Sequence, residues 1–222
     1  FFMVVAPWHI LAGLRNEGFW WDYVVNQHFL FFFDKKFPRD SLPDSLTVFW
    51  GAFLGRMLPW SVFLPCALYW AGKRSWTDRN LTLALLPWWL GIVLGFFSLS
   101  PSRLEHYSLP ALPASALLVG CWWSDMLERR GVRLSAIFVA LGFLGTIGLV
   151  GCVAAPTLLD AETWTHDFSL LLWFARFVCG MLLVAACVTA VCVWHGALQG
   201  AFVVLACAAV PLLWSVHQAL IV

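Results

Sequence analysis

The chain has 222 residues, of which 62% are hydrophobic and 11% charged, with a net charge of +1 and a mean hydropathy of +0.83. A soluble domain runs about 45–50% apolar and about 25% charged, so this composition excludes an ordinary water-soluble globule and a disordered chain. The near-zero charge also excludes a simple electrostatic nucleic-acid binder, which needs a basic surplus to neutralise phosphates.

The first residues, Phe1-Phe2-Met3-Val4-Val5, read as the last turns of a longer apolar helix. No basic region precedes them, so a signal peptide is not expected. The sequence also stops inside an apolar run at Ile221-Val222, and the whole reads as a stretch of a larger membrane protein. Residues 6–46 are too polar to span a bilayer and too aromatic to be a solvated linker. Within them, 19–33 predicts a helix lying at the membrane interface. Asp22 and Asn26 fall on its polar stripe at i,i+4, and at about 100° per residue His28 projects on the side of Trp21 and Val25. Such a helix either parks at the headgroups or forms a lid over a site. Residues 37–45, rich in Pro, Asp and Ser, predict a turn leading back into the membrane.

A bilayer core needs roughly 20 apolar residues per helix. Six stretches qualify as spans: 48–71, 81–99, 109–126, 134–155, 168–194 and 200–222. Gly51/Gly55 and Gly91/Gly95 have the spacing of small-residue packing faces, and helix packing is the reading preferred for them. Lys73, Arg74 and Arg79 follow the first span, and Arg129, Arg130 and Arg133 follow the third. The segment 156–167 has no Lys or Arg but contains Asp160, Glu162 and Asp167. The positive-inside rule makes the two basic loops cytoplasmic, and span counting then turns 7–46 and 100–108 outward. The first of these carries Arg15, Lys35, Lys36 and Arg39 against the rule, balanced by acids.

Arg103 stands at the mouth of the bundle, either as a snorkelling anchor or as an anion ligand. Pro110 and Pro113 interrupt the start of the following helix. Arg56 and Arg176 fall inside apolar stretches, where a charge costs at least about 2.5 kcal/mol. Either they face a wet cavity or the helices begin later than drawn. His195 and His217 read as packing or interfacial residues. The seven cysteines lie in apolar runs with no CxxC pair and read as small buried hydrophobes.

Three strings carry a family resemblance: Ala6-Pro7-Trp8-His9, Arg15-Asn16-Glu17-Gly18-Phe19 and Asn26-Gln27-His28-Phe29-Leu30. Leu58-Pro59-Trp60-Ser61 and the run from Phe97 through Arg103-Leu104-Glu105-His106-Tyr107-Ser108-Leu109-Pro110 to Ala114 add to it. Together they resemble bacterial polyprenyl-phosphate-dependent glycosyltransferases, the group of the aminoarabinose-to-lipid-A transferase and, more distantly, the protein O-mannosyltransferases. The similarity is dense over about residues 6–120. At Gln27 and Phe31 the sequence departs from relatives that carry an acid and an Arg there.

The resemblance implies an all-α integral membrane protein, a multi-span helix bundle of the C-type glycosyltransferase kind. Its parts would be the end of a helix at 1–5, an outward periplasmic loop with an interfacial helix at 6–46, and a six-span bundle at 47–222. It implies a multi-pass protein of the bacterial inner membrane, active at the periplasmic face. The donor would be a polyprenyl-phosphate-linked sugar, and the acceptor a lipid A-like glycolipid or another envelope molecule. Arg103, Tyr107, His28, Arg15 and Arg39 become the candidates for holding the donor phosphate. The family's catalytic acids belong to an earlier outward loop, so the base is expected upstream of this sequence. A divalent metal stays open, with His9, His28 and His106 as candidate ligands. The competing reading is a non-enzymatic polyprenyl-lipid transporter or membrane scaffold. A transporter should show inverted repeats and helices broken at mid-membrane, and the sequence shows no such repeat.

Overall fold

The computed structural model describes residues 2–38, 42–128, 134–158 and 168–219. All regular structure among them is helical. The α-helices are α1 (Phe2–Arg15), α2 (Leu46–Arg56), α3 (Leu64–Asp78), α4 (Leu81–Leu99), α5 (Leu112–Glu128), α6 (Leu134–Leu158), α7 (Phe168–Trp194) and α8 (Leu198–Ala219). A π-helix covers Trp21–Leu30, and 3₁₀ turns cover Trp60–Phe63 and Glu105–Ala111. Arg39, the loop arginines 129, 130 and 133, and the acidic residues Asp160, Glu162 and Asp167 lie outside the described residues. So does the side chain of His217.

Two helices among the described residues are long and apolar enough to cross a membrane, Leu81–Leu99 and Leu172–Trp194. The described apolar parts of α6 and α8, Ile137–Val153 and Leu198–Leu212, are shorter. The predicted span at 48–71 is not one rod. It breaks between Arg56 and Trp60 and bends sharply there. Pro59 has no N–H to donate and its ring crowds the preceding turn. The chain recovers through a 3₁₀ turn before α3, with Pro65 in the first turn of that helix, where a missing donor costs nothing. Arg56 therefore stands at the C-terminus of α2, where the macrodipole favours a cation, and not inside a continuous helix. Likewise α1 continues to Arg15, so residues 6–15, expected as loop, are helical. Lys73 and Arg74, expected in a loop, lie inside α3.

Local chemistry sets the helix ends. Ser45 Oγ accepts from the Val48 N–H at 3.2 Å, and Asn80 Oδ1 accepts from the Leu83 N–H at 3.0 Å. Both are N-caps for orphan donors of the first turn. Arg79 closes α3 in the left-handed region, with φ 49°.

The chain forms two compact units. Unit 1 comprises Phe1–Phe53 and Gly91–Ala111. Its buried residues include Phe49, Phe53 and four polar ones: Asn26, Ser100, Ser102 and Ser108. Asn26 is only 1% exposed and its amide is fully engaged. Nδ2 donates to Asp22 Oδ1 at 2.7 Å and to the Phe37 carbonyl at 2.6 Å, while Oδ1 accepts from the Phe37 N–H at 3.0 Å. Asp22 and Asn26, expected as neighbours on a polar stripe, are hydrogen-bonded to each other, and the Asn26 bonds to Phe37 tie the π-helix to the turn that follows.

Unit 2 comprises Leu54–Leu90 and Leu112–Val222. Here α6, α7 and α8 pack side by side over Leu144, Leu182, Val193 and Leu205, all at most 2% exposed. A second cluster stacks Trp60, Phe63, Trp122, Trp123 and Phe202. Asp125 joins α5 to α3, accepting from Trp70 Nε1 at 3.0 Å and pairing with Arg74 at 3.2 Å. Arg74 also pairs with Asp78 at 2.9 Å. A cavity of about 430 Å³ along α7 and α8 is lined by Phe177, Met181, Val188, Val204, Ala208 and similar side chains. It has no titratable group, so it offers room but no chemistry.

The flagged glycines do not make the packing. A Cβ at Gly51, Gly55, Gly91 or Gly95 would meet nothing within 4 Å. The close approach is at Gly145, Gly148 and Gly151, where α6 meets α7.

Candidate functional site

The two segments expected on one face come together in unit 1. Helix α4 ends at Leu99, and Pro101 cannot continue it. Its last carbonyls are orphans that need donors. Arg103 folds back to supply them: Nε donates to the Phe97 carbonyl at 3.3 Å and Nη2 to the Ser98 carbonyl at 3.1 Å. Nη1 reaches across to the Asp44 carbonyl at 3.4 Å. The cation is half-buried at the negative end of a helix dipole. A guanidinium has five N–H donors, and these bonds use three. One donor on each terminal nitrogen is left with no partner among the described residues.

Hydrogen bonds fasten Phe32, Asp34 and Asp44 onto this turn. Ser100 Oγ donates to the Phe32 carbonyl at 2.8 Å and Ser102 Oγ to Asp34 Oδ1 at 3.1 Å. The Asp44 N–H donates to the Arg103 carbonyl at 2.8 Å, and Asp44 Oδ2 accepts from the Glu105 N–H at 2.7 Å. Nearby, Trp50 Nε1 donates to Ser98 Oγ at 3.2 Å.

Tyr107 lies on the 3₁₀ turn Glu105–Ala111. Its ring sits 4.8 Å from that of Phe97 and 6.4 Å from that of Phe31. Arg103 and Tyr107 thus share Phe97, the first through its carbonyl and the second through its ring. Lys36, not among the expected phosphate ligands, lies over the Phe31 ring, with Nζ 5.6 Å from its centre. Its only signal in sequence was a basic pair in a segment counted outward. Phe31 is a ring that holds a neighbouring cation.

The other candidates gather elsewhere in unit 1. His28 does not project with Trp21 and Val25. A π-helix bonds i to i+5, so the angular step shrinks and His28 comes over Tyr23, five residues back. Nδ1 donates to the Tyr23 carbonyl and the rings are 5.2 Å apart. His9 reaches the same tyrosine from α1: Nδ1 donates to the Val5 carbonyl at 2.9 Å and Nε2 meets the Tyr23 hydroxyl at 3.2 Å. Phe19 stacks on Tyr23 at 5.4 Å, and Trp8 lies edge-on to Phe19. These ring and hydrogen-bond contacts of the pile run within residues 5–28, and those described for Arg103 and Tyr107 run to 31, 44 and 97–106. Arg15 is exposed in the last turn of α1. His106 is exposed and edge-on to Tyr107. Among the described residues no group of three or more His, Cys, Asp or Glu gathers as a metal site; His9 and His28 meet at Tyr23, and His106 does not join them as a third. Arg176 is exposed on α7.

The chain is 29% identical over 175 residues to an undecaprenyl phosphate-alpha-4-amino-4-deoxy-L-arabinose arabinosyl transferase of Pseudomonas fluorescens, covering 76% of this chain and 29% of that protein. It is 29% identical over 164 residues to the transferase of that name from Aeromonas salmonicida (71% and 27%). It is 31% identical over 150 residues to the one from Pseudomonas paraeruginosa (63% and 25%). The chain is a relative of the aminoarabinose arabinosyltransferases. It spans less than a third of the length of these arabinosyltransferases. No family model matches the chain, and no solved structure does.

Proposed function

We propose that the protein serves a membrane glycosyltransferase reaction in which a sugar passes from a polyprenyl-phosphate donor to a glycolipid or other envelope acceptor at the periplasmic face of the bacterial inner membrane. The observation that carries this reading is the Arg103 guanidinium, held half-buried by backbone carbonyls with two donors uncommitted, in a chain similar to arabinosyltransferases named for an undecaprenyl-phosphate sugar.

The acceptor oxygen attacks the anomeric carbon, and the bond from that carbon to the phosphate oxygen breaks through an oxocarbenium-like state, by analogy with glycoside chemistry. A base takes the acceptor proton, and the polyprenyl phosphate leaves with its negative charge. Cations aimed at that phosphate lower the barrier. Arginine suits this because it stays charged and offers paired donors to phosphate oxygens. Arg103 takes that part, with Tyr107 as the neighbour that shares Phe97 with it and Lys36 as a further cation of the loop. His28, Arg15 and Arg39 are secondary candidates, His28 because its pile lies apart from the Arg103 turn. Asp22, Asp34 and Asp44 accept hydrogen bonds from Asn26, Ser102 and the Glu105 N–H, which supports reading them as caps and not as the base.

In membranes carrying the intact protein, sugar transfer is expected from a polyprenyl-phosphate donor and not from the nucleotide sugar. The opposite preference would overturn the reading. A polyprenyl-lipid transporter is the second reading, and the helix break after Arg56 is the observation in its favour; transfer activity separates the two.

The face is tested by labelling. Leu42 is 83% exposed and His106 is exposed. With the seven native cysteines replaced, Leu42→Cys and His106→Cys should both react with an impermeant maleimide added to spheroplasts. Reaction of only one would contradict the common outward face.

A further inference from the structure

We propose that Asp44 is the positioning residue of the donor-phosphate site, holding Arg103 and Tyr107 as one unit; this rests on the reading of Arg103 as the phosphate ligand. Asp44 makes three hydrogen bonds to the turn. Its N–H donates to the Arg103 carbonyl (2.8 Å), its carbonyl accepts from Arg103 Nη1 (3.4 Å), and its carboxylate accepts from the Glu105 N–H (2.7 Å). The first two fix the backbone and the head of Arg103. The third caps the start of the 3₁₀ turn that carries Tyr107, satisfying a donor with no partner inside the turn. The next residue, Ser45, caps α2 through Val48, so Asp44 is itself held from the far side.

The charge arrangement matters as much as the geometry. The Asp44 carboxylate is spent on a backbone N–H. Among the described residues the guanidinium is held by carbonyls only. Its charge is therefore oriented without being neutralised, which leaves it for an anion. A carboxylate paired directly with Arg103 would have competed with the phosphate.

The test uses the 222-residue protein in nanodiscs and two probes, undecaprenyl phosphate and undecaprenol. The readout is the ratio of their affinities, which isolates headgroup recognition from binding of the chain. Asp44→Ala is expected to lower that ratio about 10-fold, the scale of one lost charge-assisted contact, with undecaprenol affinity unchanged. Asp44→Asn should restore most of it, because the amide oxygen still accepts from the Glu105 N–H. Asp44→Ala combined with Arg103→Ala should be no worse than Arg103→Ala alone. A wild-type ratio in Asp44→Ala, with the ratio lost in Arg103→Ala, would overturn the positioning role and leave the phosphate site standing. A wild-type ratio in Arg103→Ala would overturn both. Should Asp44→Ala not fold, Asp44→Glu replaces it. That variant keeps the charge but moves the carboxylate one methylene away from the Glu105 N–H, and a wild-type ratio there would also overturn the proposal.

Discussion

Replacing Arg103 by alanine is expected to cut sugar transfer from a polyprenyl-phosphate donor by roughly 10- to 150-fold, the equivalent of one charge-assisted hydrogen bond of about 1.5–3 kcal/mol. The same side chain also caps α4 through the Phe97 and Ser98 carbonyls, so its removal costs some stability as well. Activity must therefore be referred to folded protein, measured as the monodisperse fraction in detergent. Arg103→Lys separates the two roles. An ammonium can reach one carbonyl and keep the charge, but it cannot bridge three carbonyls and still present paired donors. It should recover part of the stability and less of the activity. Full activity per folded molecule in Arg103→Ala would reduce Arg103 to an anchor at the end of its helix.

Much of this was legible in the sequence, and where it was not the reason is physical. Helices α4 and α7 occupy the residues that apolar length alone predicted, 81–99 and 168–194, because a long apolar run has few alternatives to a helix. Counting spans and loop charges put 7–46 and 100–108 on one face but predicted no contact between them; the bonds of residues 32, 34 and 44 to the turn at 100–105 are what the structure adds. The register of 21–30 was not legible, since a 3.6-residue period was assumed and the π-helix has a wider turn. This moved His28 onto Tyr23. The break after Arg56 was signalled by Pro59 but masked by continuous hydropathy on both sides. Lys36 and Asp44 were invisible as site neighbours because each meets the site through contacts distant in sequence: Lys36 through the ring that touches Tyr107, Asp44 through residues about sixty positions away.

The glycines show the same limit, and they carry the largest expected effect on stability. Spacing of four drew attention to Gly51/Gly55 and Gly91/Gly95, yet small residues matter only where a second backbone comes close. That place is Gly148 on α6. A Cβ there would lie 2.6 Å from the Cys179 carbonyl oxygen and 2.8 Å from the Leu183 nitrogen. Both are backbone atoms of α7 and cannot turn aside as a side-chain tip would. Gly148→Leu must push the two helices apart along a contact that organises unit 2. Overpacking of this kind costs about 1–3 kcal/mol and occasionally more, and with no rotamer available to relieve it the upper end is expected. For a chain of this size that is a fall of about 6–12 °C in apparent Tm, read by heating detergent-purified protein and scoring the monodisperse fraction. Gly142→Ala is the matched control: its Cβ would meet nothing within 4 Å, and alanine favours the helix over glycine by up to about 1 kcal/mol. It should melt at or slightly above the wild-type temperature. Equal melting of Gly148→Leu and wild type would mean that α6 and α7 do not approach at Gly148.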